Sequence, residues 1–92
     1  MTMVKFQLGE VVATPGALDA LSESNESVAK FVRRHMLGDW GDLSQEDKQA
    51  NEEALLDEAR ILSAYHTAKG TKIWVITDAD RSVTTLLLPE EY

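Results

Sequence analysis

From Ile61 onward the apolar residues stop recurring every three or four positions and recur every second one, and this change of period constrains the fold more than any other feature of the chain. Residues 61–67, 72–77 and 82–88 read as three strands. They are joined by Ala68-Lys69-Gly70-Thr71 and Asp78-Ala79-Asp80-Arg81, each short enough for a hairpin, and Pro89, which has no N–H for a ladder, stops the last one.

Upstream the pattern is helical after one opening strand. Residues 4–12 alternate, with Val4, Phe6 and Leu8 on one side and Lys5 and Gln7 on the other. Thr14-Pro15 is a helix start, because the hydroxyl caps and a proline in the first turn lacks only an N–H that had no partner; the helix is expected to run through Leu21. Val28, Phe31, Val32, His35 and Met36 then fall on one face of a second helix, with Arg33, Arg34 and His35 in its last turn, where positive charge complements the dipole. After a loop around Trp40, Ser44-Gln45-Glu46-Asp47 looks like a capping box that opens a third helix to about Arg60, with Leu43, Ala50, Ala54 and Ile61 on its inner stripe. The expected order is β-α-α-α-β-β-β, an α+β fold with an antiparallel four-stranded sheet and the helices packed on one face. Where the first strand joins the sheet is left open.

The 92 residues, 1–92, are expected to form a single domain, and a chain of this size buries only about 60 to 70% of its unfolded surface. No cysteine is present, so no disulfide or thiolate metal site reinforces the core. The N-terminus has no apolar h-region, and the longest strongly apolar run is Ile73-Trp74-Val75-Ile76; a soluble cytoplasmic protein is expected.

Charge is distributed very unevenly. Residues 39–58 carry Asp39, Asp42, Glu46, Asp47, Glu52, Glu53, Asp57 and Glu58 against Lys48 alone, which is eight minus one and equals the whole formal net charge of −7. The remaining residues hold eight acids and eight bases. An acidic chain repels nucleic acid and anionic lipid, so direct binding to either is not expected; a basic protein or a basic groove of a nucleoprotein complex suits it better.

Catalytic signals are weak. The only histidines are His35, among apolar helix positions, and His66, in a strand near a turn, and both read as structural residues. Asp78-Ala79-Asp80-Arg81-Ser82 opens like a calcium loop, but its sixth and twelfth positions are Val83 and Pro89 where glycine and glutamate are needed; a hairpin turn whose aspartates cap amides and pair with Arg81 is the better reading. Gly38-Asp39-Trp40-Gly41 matches a bare phosphate-clamping G-x-x-G, in surroundings of the wrong sign. Trp40 reads either as a docking anchor or, preferably, as a cover over the end of the core. Glu46, Glu53 and Asp57 lie along one ridge of the third helix, with Asp47 and Glu58 on the other side, an array that a lysine or arginine groove built for phosphates accepts.

Two segments, Gly38-Asp39-Trp40-Gly41-Asp42-Leu43-Ser44-Gln45-Glu46-Asp47-Lys48 with the following Asn51, and Arg60 to Tyr65 running on through Ile73 to Pro89, together resemble a group of small proteins borne on bacterial plasmids, phages and integrated elements. That group offers no catalytic motif to carry across. The resemblance implies a mobile-element inhibitor of host defence, by analogy with anti-CRISPR and anti-restriction proteins that present negative charge to a nucleic-acid groove. The expectation is therefore a non-enzymatic binding protein without a cofactor, docking through Asp39, Trp40, Asp42, Glu46, Asp47, Glu53 and Asp57. The alternative is a small ligand-binding module or enzyme using Tyr65, His66, Asp78 and Asp80 at one end of the sheet, and a third possibility is a dimer formed through an exposed strand edge.

Overall fold

The computed structural model describes residues 3–92. Its elements are β1 (Glu10–Ala13), α1 (Pro15–Ser24), α2 (Val28–Met36), α3 (Gln45–Asp57), β2 (Ile61–His66), β3 (Lys72–Thr77), β4 (Val83–Leu87) and a final 3-10 turn (Pro89–Glu91). The α+β class, with three α-helices and a four-stranded sheet, holds. The sheet is mixed, however, with strand order β1-β4-β3-β2 and β1 parallel to β4, which corrects the expectation of an antiparallel sheet. Hairpins force β2, β3 and β4 to alternate in direction, but β1 is tied to the others only through helices, so no tight turn dictates its sense.

The first strand is also shorter than its pattern. Residues 4–8 form an irregular arm that buries Phe6, and Gly9 lies just before the strand. Its φ of +66°, and the 2.3 Å that would separate an added Cβ from the Ser82 carbonyl oxygen, make it the point where the arm turns to run beside β4.

All three helices open on side-chain caps, since Thr14, Ser27 and Ser44 accept from the backbone N–H groups of Ala17, Lys30 and Asp47. Alternation places Ile61, Ser63, Tyr65, Ile73, Val75, Thr77, Thr84 and Leu86 on the helix side of the sheet. There Ala17, Ala20, Leu21, Phe31 and Val32 of α1 and α2 bury Tyr65, Ile73, Val75 and Leu86. Beside this cluster Phe6, Trp40, Ala54 and Ile61 form a second one under α3. Among the described residues the opposite face carries no α-helix; the C-terminal segment lies against it, where the Tyr92 ring meets Trp74 at 5.8 Å.

The outer edge of β2 is sealed. Asn51 of α3 gives its side-chain N–H to the Leu62 carbonyl at 2.6 Å and accepts from the Leu62 N–H at 3.2 Å, as a neighbouring strand would. Ala64 is held likewise, donating to the Trp40 carbonyl at 3.1 Å and accepting from Asp42 N–H at 2.7 Å. This is why Asn51, a polar residue, is buried to 4% exposure on α3, while Ala50, expected inside, is exposed.

Helix α3 stops at Asp57, short of Arg60, with Glu58 in the left-handed region at φ 53°. Its last turn has no basic residue, and Arg81 of the β3–β4 hairpin supplies one. The guanidinium donates to the carbonyls of Ala54 at 3.0 Å and Ala59 at 2.7 Å, and lies 5.7 Å from the centre of the Phe6 ring. Arg81 thus bonds backbone carbonyls rather than the hairpin aspartates, whereas Asp80 does cap the Ser82 N–H, at 3.0 Å. Arg81→Met keeps the stem and removes the fork; it is expected to lower unfolding free energy by about 2 kcal/mol in urea and to speed amide exchange at the C-terminal end of α3. Unchanged exchange there would show that the guanidinium holds nothing.

Candidate docking surface on the third helix

With Asn51 and Ala54 facing inward, the roughly 100° step per residue puts Glu46, Glu53 and Asp57 within about 40° of one another on the flank of the helix, about 110° round from the inward direction. The sequence expectation of one acidic ridge is met in its geometry. Along the axis the three sit about 10 and 6 Å apart. All are exposed, and among the described residues none of the three, nor Asp47 or Glu58, takes part in an ion pair. Leu56 is 85% exposed on the side of the helix away from Asn51 and Ala54.

The loop acids behave differently. Asp39 pairs with Arg34 at 2.7 Å, and this hydrogen bond holds its carboxyl below the usual carboxylate range while raising the guanidinium. Asp42 pairs with His66 at 2.6 Å. Both carboxylates remain exposed while they hold these partners. Trp40 is 4% exposed and packs near Phe6 and His35, with its ring N–H donated to Glu52 at 2.8 Å. It covers the core and is removed from the docking surface. The other residues expected to dock, Asp39, Asp42, Glu46, Asp47, Glu53 and Asp57, are all exposed, with Glu58 beyond.

The alternative site does not assemble. His66 stands opposite Lys72, at the far end of β3 from Asp78, which follows Thr77; six residues at about 3.3 Å put them roughly 20 Å apart. Tyr65 is buried, its hydroxyl donates to the Asp39 carbonyl at 2.5 Å, and burial pushes its pKa up. Among the described residues no three His, Asp or Glu side chains are gathered for a metal.

His35 proves to be the centre of a closed polar chain. Thr84 donates to the Leu8 carbonyl at 2.7 Å, so its oxygen must accept from Thr77, at 2.7 Å. The Thr77 hydrogen is then spent, which obliges His35 to donate from Nε2 at 2.9 Å and to accept at Nδ1 from Ser63 at 2.6 Å. A neutral imidazole with its proton on Nε2 satisfies every member, and burial, aided by the nearby Arg81 charge, lowers the pKa to about 3. With 0% exposure this ring reaches no substrate.

Sequence reasoning missed Arg81 and Asn51 as the residues that orient α3. Asn51 carried a signal, an amide among the residues flanking an apolar stripe, whereas the target of Arg81 is invisible without the fold. No family model, curated protein or solved structure matches the chain. Among the described residues no helix is long and apolar enough to cross a membrane.

Proposed function

We propose that this is a non-enzymatic acidic binding protein which docks the outer ridge of α3 onto a lysine- and arginine-lined groove of a bacterial nucleic-acid-targeting defence complex, in the manner of anti-CRISPR or anti-restriction inhibitors. The observation that carries it is the alignment of Glu46, Glu53 and Asp57 on one exposed ridge, free of internal pairing among the described residues. Ionised carboxylates and phosphates are both acceptor-only anions, so a basic groove shaped for one binds a row of the other. Like charges four apart, as at Glu53 and Asp57, cost a helix a few tenths of a kcal/mol, a small penalty that a binding role accounts for. The protein would act in the cytoplasm on a protein or nucleoprotein partner, without direct contact to nucleic acid or membrane.

The test is Glu46→Lys, Glu53→Lys and Asp57→Lys combined, in affinity capture from host lysate beside the wild type. The wild type should retain a basic nucleoprotein complex that high salt releases. The reversed protein should bind it at least about 100-fold more weakly, equivalent to about 2.7 kcal/mol. Its unfolding free energy should stay within about 0.5 kcal/mol per substitution, as for other exposed positions. Equal retention of the complex by both proteins would remove the reading.

A further inference from the structure

The two edges of the sheet are finished in opposite ways. On β2 the outward N–H and C=O groups of Leu62 and Ala64 are all taken by Asn51, Trp40 and Asp42. On β1 the outward groups are bare. Glu10 N–H donates to Ser82 and Thr14 N–H to Leu86, so the even-numbered residues of this parallel strand face β4 and the odd ones, Val11 and Ala13, turn their backbone groups to the outside. Among the described residues no partner meets them. The edge has no lysine, internal proline or bulge to deter pairing, and its valines are open: Val11 is 40% and Val12 38% exposed, with Leu18 of the adjoining helix at 49%.

We infer that β1 is the interface of a symmetric dimer in which the β1 strands of two copies pair antiparallel about a two-fold axis through Val12. This register is chosen by the backbone. Val11 lies opposite Ala13 of the second copy, and each such pair exchanges two N–H to C=O bonds, so four bonds satisfy all of the bare groups. One step toward the C-terminus would place Val11 opposite Pro15, which has no N–H, and one step the other way would use Gly9, whose φ of +66° takes it out of the strand. At the centre the two Val12 side chains form a closely spaced pair on the helix-free face. They join the row Val12, Thr85, Ile76 and Leu62 of one copy to the same row of the other.

Electrostatics permit it despite the net charge of −7 on each copy. All of that excess lies in residues 39–58, and α3 sits beyond β2, three strands and about 14 Å from β1. In the dimer the two β2 strands are about 34 Å apart, several times the Debye length of about 8 Å at physiological salt. Within the interface Glu10 meets Thr14, and no like charges face each other.

The absence of native cysteine gives a direct test. Val12→Cys puts the thiols of the two copies opposite each other at the two-fold centre, whereas in Val11→Cys they are offset along the strands. Under mild oxidation Val12→Cys should form the disulfide dimer at least about ten times faster than Val11→Cys. Light scattering of the wild type should rise from 10.2 kDa toward twice that mass as concentration climbs from about 20 µM to about 1 mM, while folded Val12→Lys stays at 10.2 kDa. A wild type that remains monomeric at the highest concentration overturns the inference, and would instead leave the edge for an extended peptide of another protein. Equal cross-linking of the two cysteine variants, or a Val12→Lys that dimerises like wild type, also overturns it. If Val12→Lys does not fold, the two cysteine variants decide.

Discussion

His35→Ala is expected to remove about 4 kcal/mol of stability, roughly half of what a domain of this size possesses, and to lower Tm by about 20 °C. Two losses add. The imidazole fills a site with 0% exposure between Phe6, whose ring meets it edge-on at 5.0 Å, and Trp40 at 6.0 Å, so truncation opens a cavity in the middle of the molecule. It also leaves the Ser63 hydroxyl without its acceptor and Thr77 without its donor, both fully buried. A loss below about 1.5 kcal/mol in urea unfolding would mean that the chain from Ser63 to Leu8 is not what joins α2 to the sheet.

The same ring sets an acid limit. Its folded pKa, about 3, lies below its ordinary 6.5, so between these values the unfolded chain binds the extra proton and stability falls as pH falls. Each step of one pH below 6.5 removes about 1.36 kcal/mol, so that by pH 4.5 the loss reaches about 2.5 kcal/mol. The carboxylates of Asp39, Asp80 and Glu91, all held below their usual range, act later. Their contribution is complete above the unfolded carboxylate range and disappears only as pH falls through their lowered values. His35→Gln has no proton to take up at this site. Its stability should be flatter than that of wild type between pH 6.5 and 4.5, and parallel curves would disprove the assignment.

Local chemistry was legible in the sequence. The caps at Thr14 and Ser44 depend on a hydroxyl and an amide three residues on, and the strands after Ile61 declare themselves by period. His35 was readable as interior from its place beside Val28, Phe31 and Val32, but its partners Ser63 and Thr77 lie on strands far along the chain. Orientation that depends on distant partners was not readable. Nothing in Glu10-Val11-Val12-Ala13 encodes a parallel neighbour, because parallel or antiparallel pairing is decided by where α1 must go after Thr14. Hydropathy ranked Ala50 above Asn51 for the inner face of α3, whereas the fold prefers Asn51 because its amide completes the ladder at Leu62. The acidic ridge was legible because exposed residues need no partner, and Trp40 was readable as a cover over the core; not readable were the partners of Trp40, Asp39 and Asp42, namely Glu52, Arg34 and His66, which are set by tertiary contact.

Gly41→Ala is expected to cost about 3 to 4 kcal/mol, and the comparison with Gly70→Ala separates the reasons. Both glycines adopt left-handed backbone, at φ 76° and 88°, so each alanine carries a strain of about 1 kcal/mol. At Gly70 nothing lies within 4 Å of an added Cβ, and strain is the whole effect. At Gly41 the Cβ would stand 2.0 Å from the Ala64 carbonyl oxygen, a backbone atom of β2 fixed between Ser63 and Tyr65, which pair with Val75 and Ile73 of β3. The loop must withdraw instead, surrendering the Asp42 and Trp40 bonds to Ala64 and the Tyr65 bond to Asp39, and pulling Trp40 away from Phe6. The excess of Gly41→Ala over Gly70→Ala, about 2 to 3 kcal/mol, therefore measures how firmly this loop seals the edge of β2. Tryptophan fluorescence should shift to the red in Gly41→Ala at temperatures where Gly70→Ala is unchanged. Equal costs for the two variants would mean that the loop yields freely and that β2 is no better protected than β1.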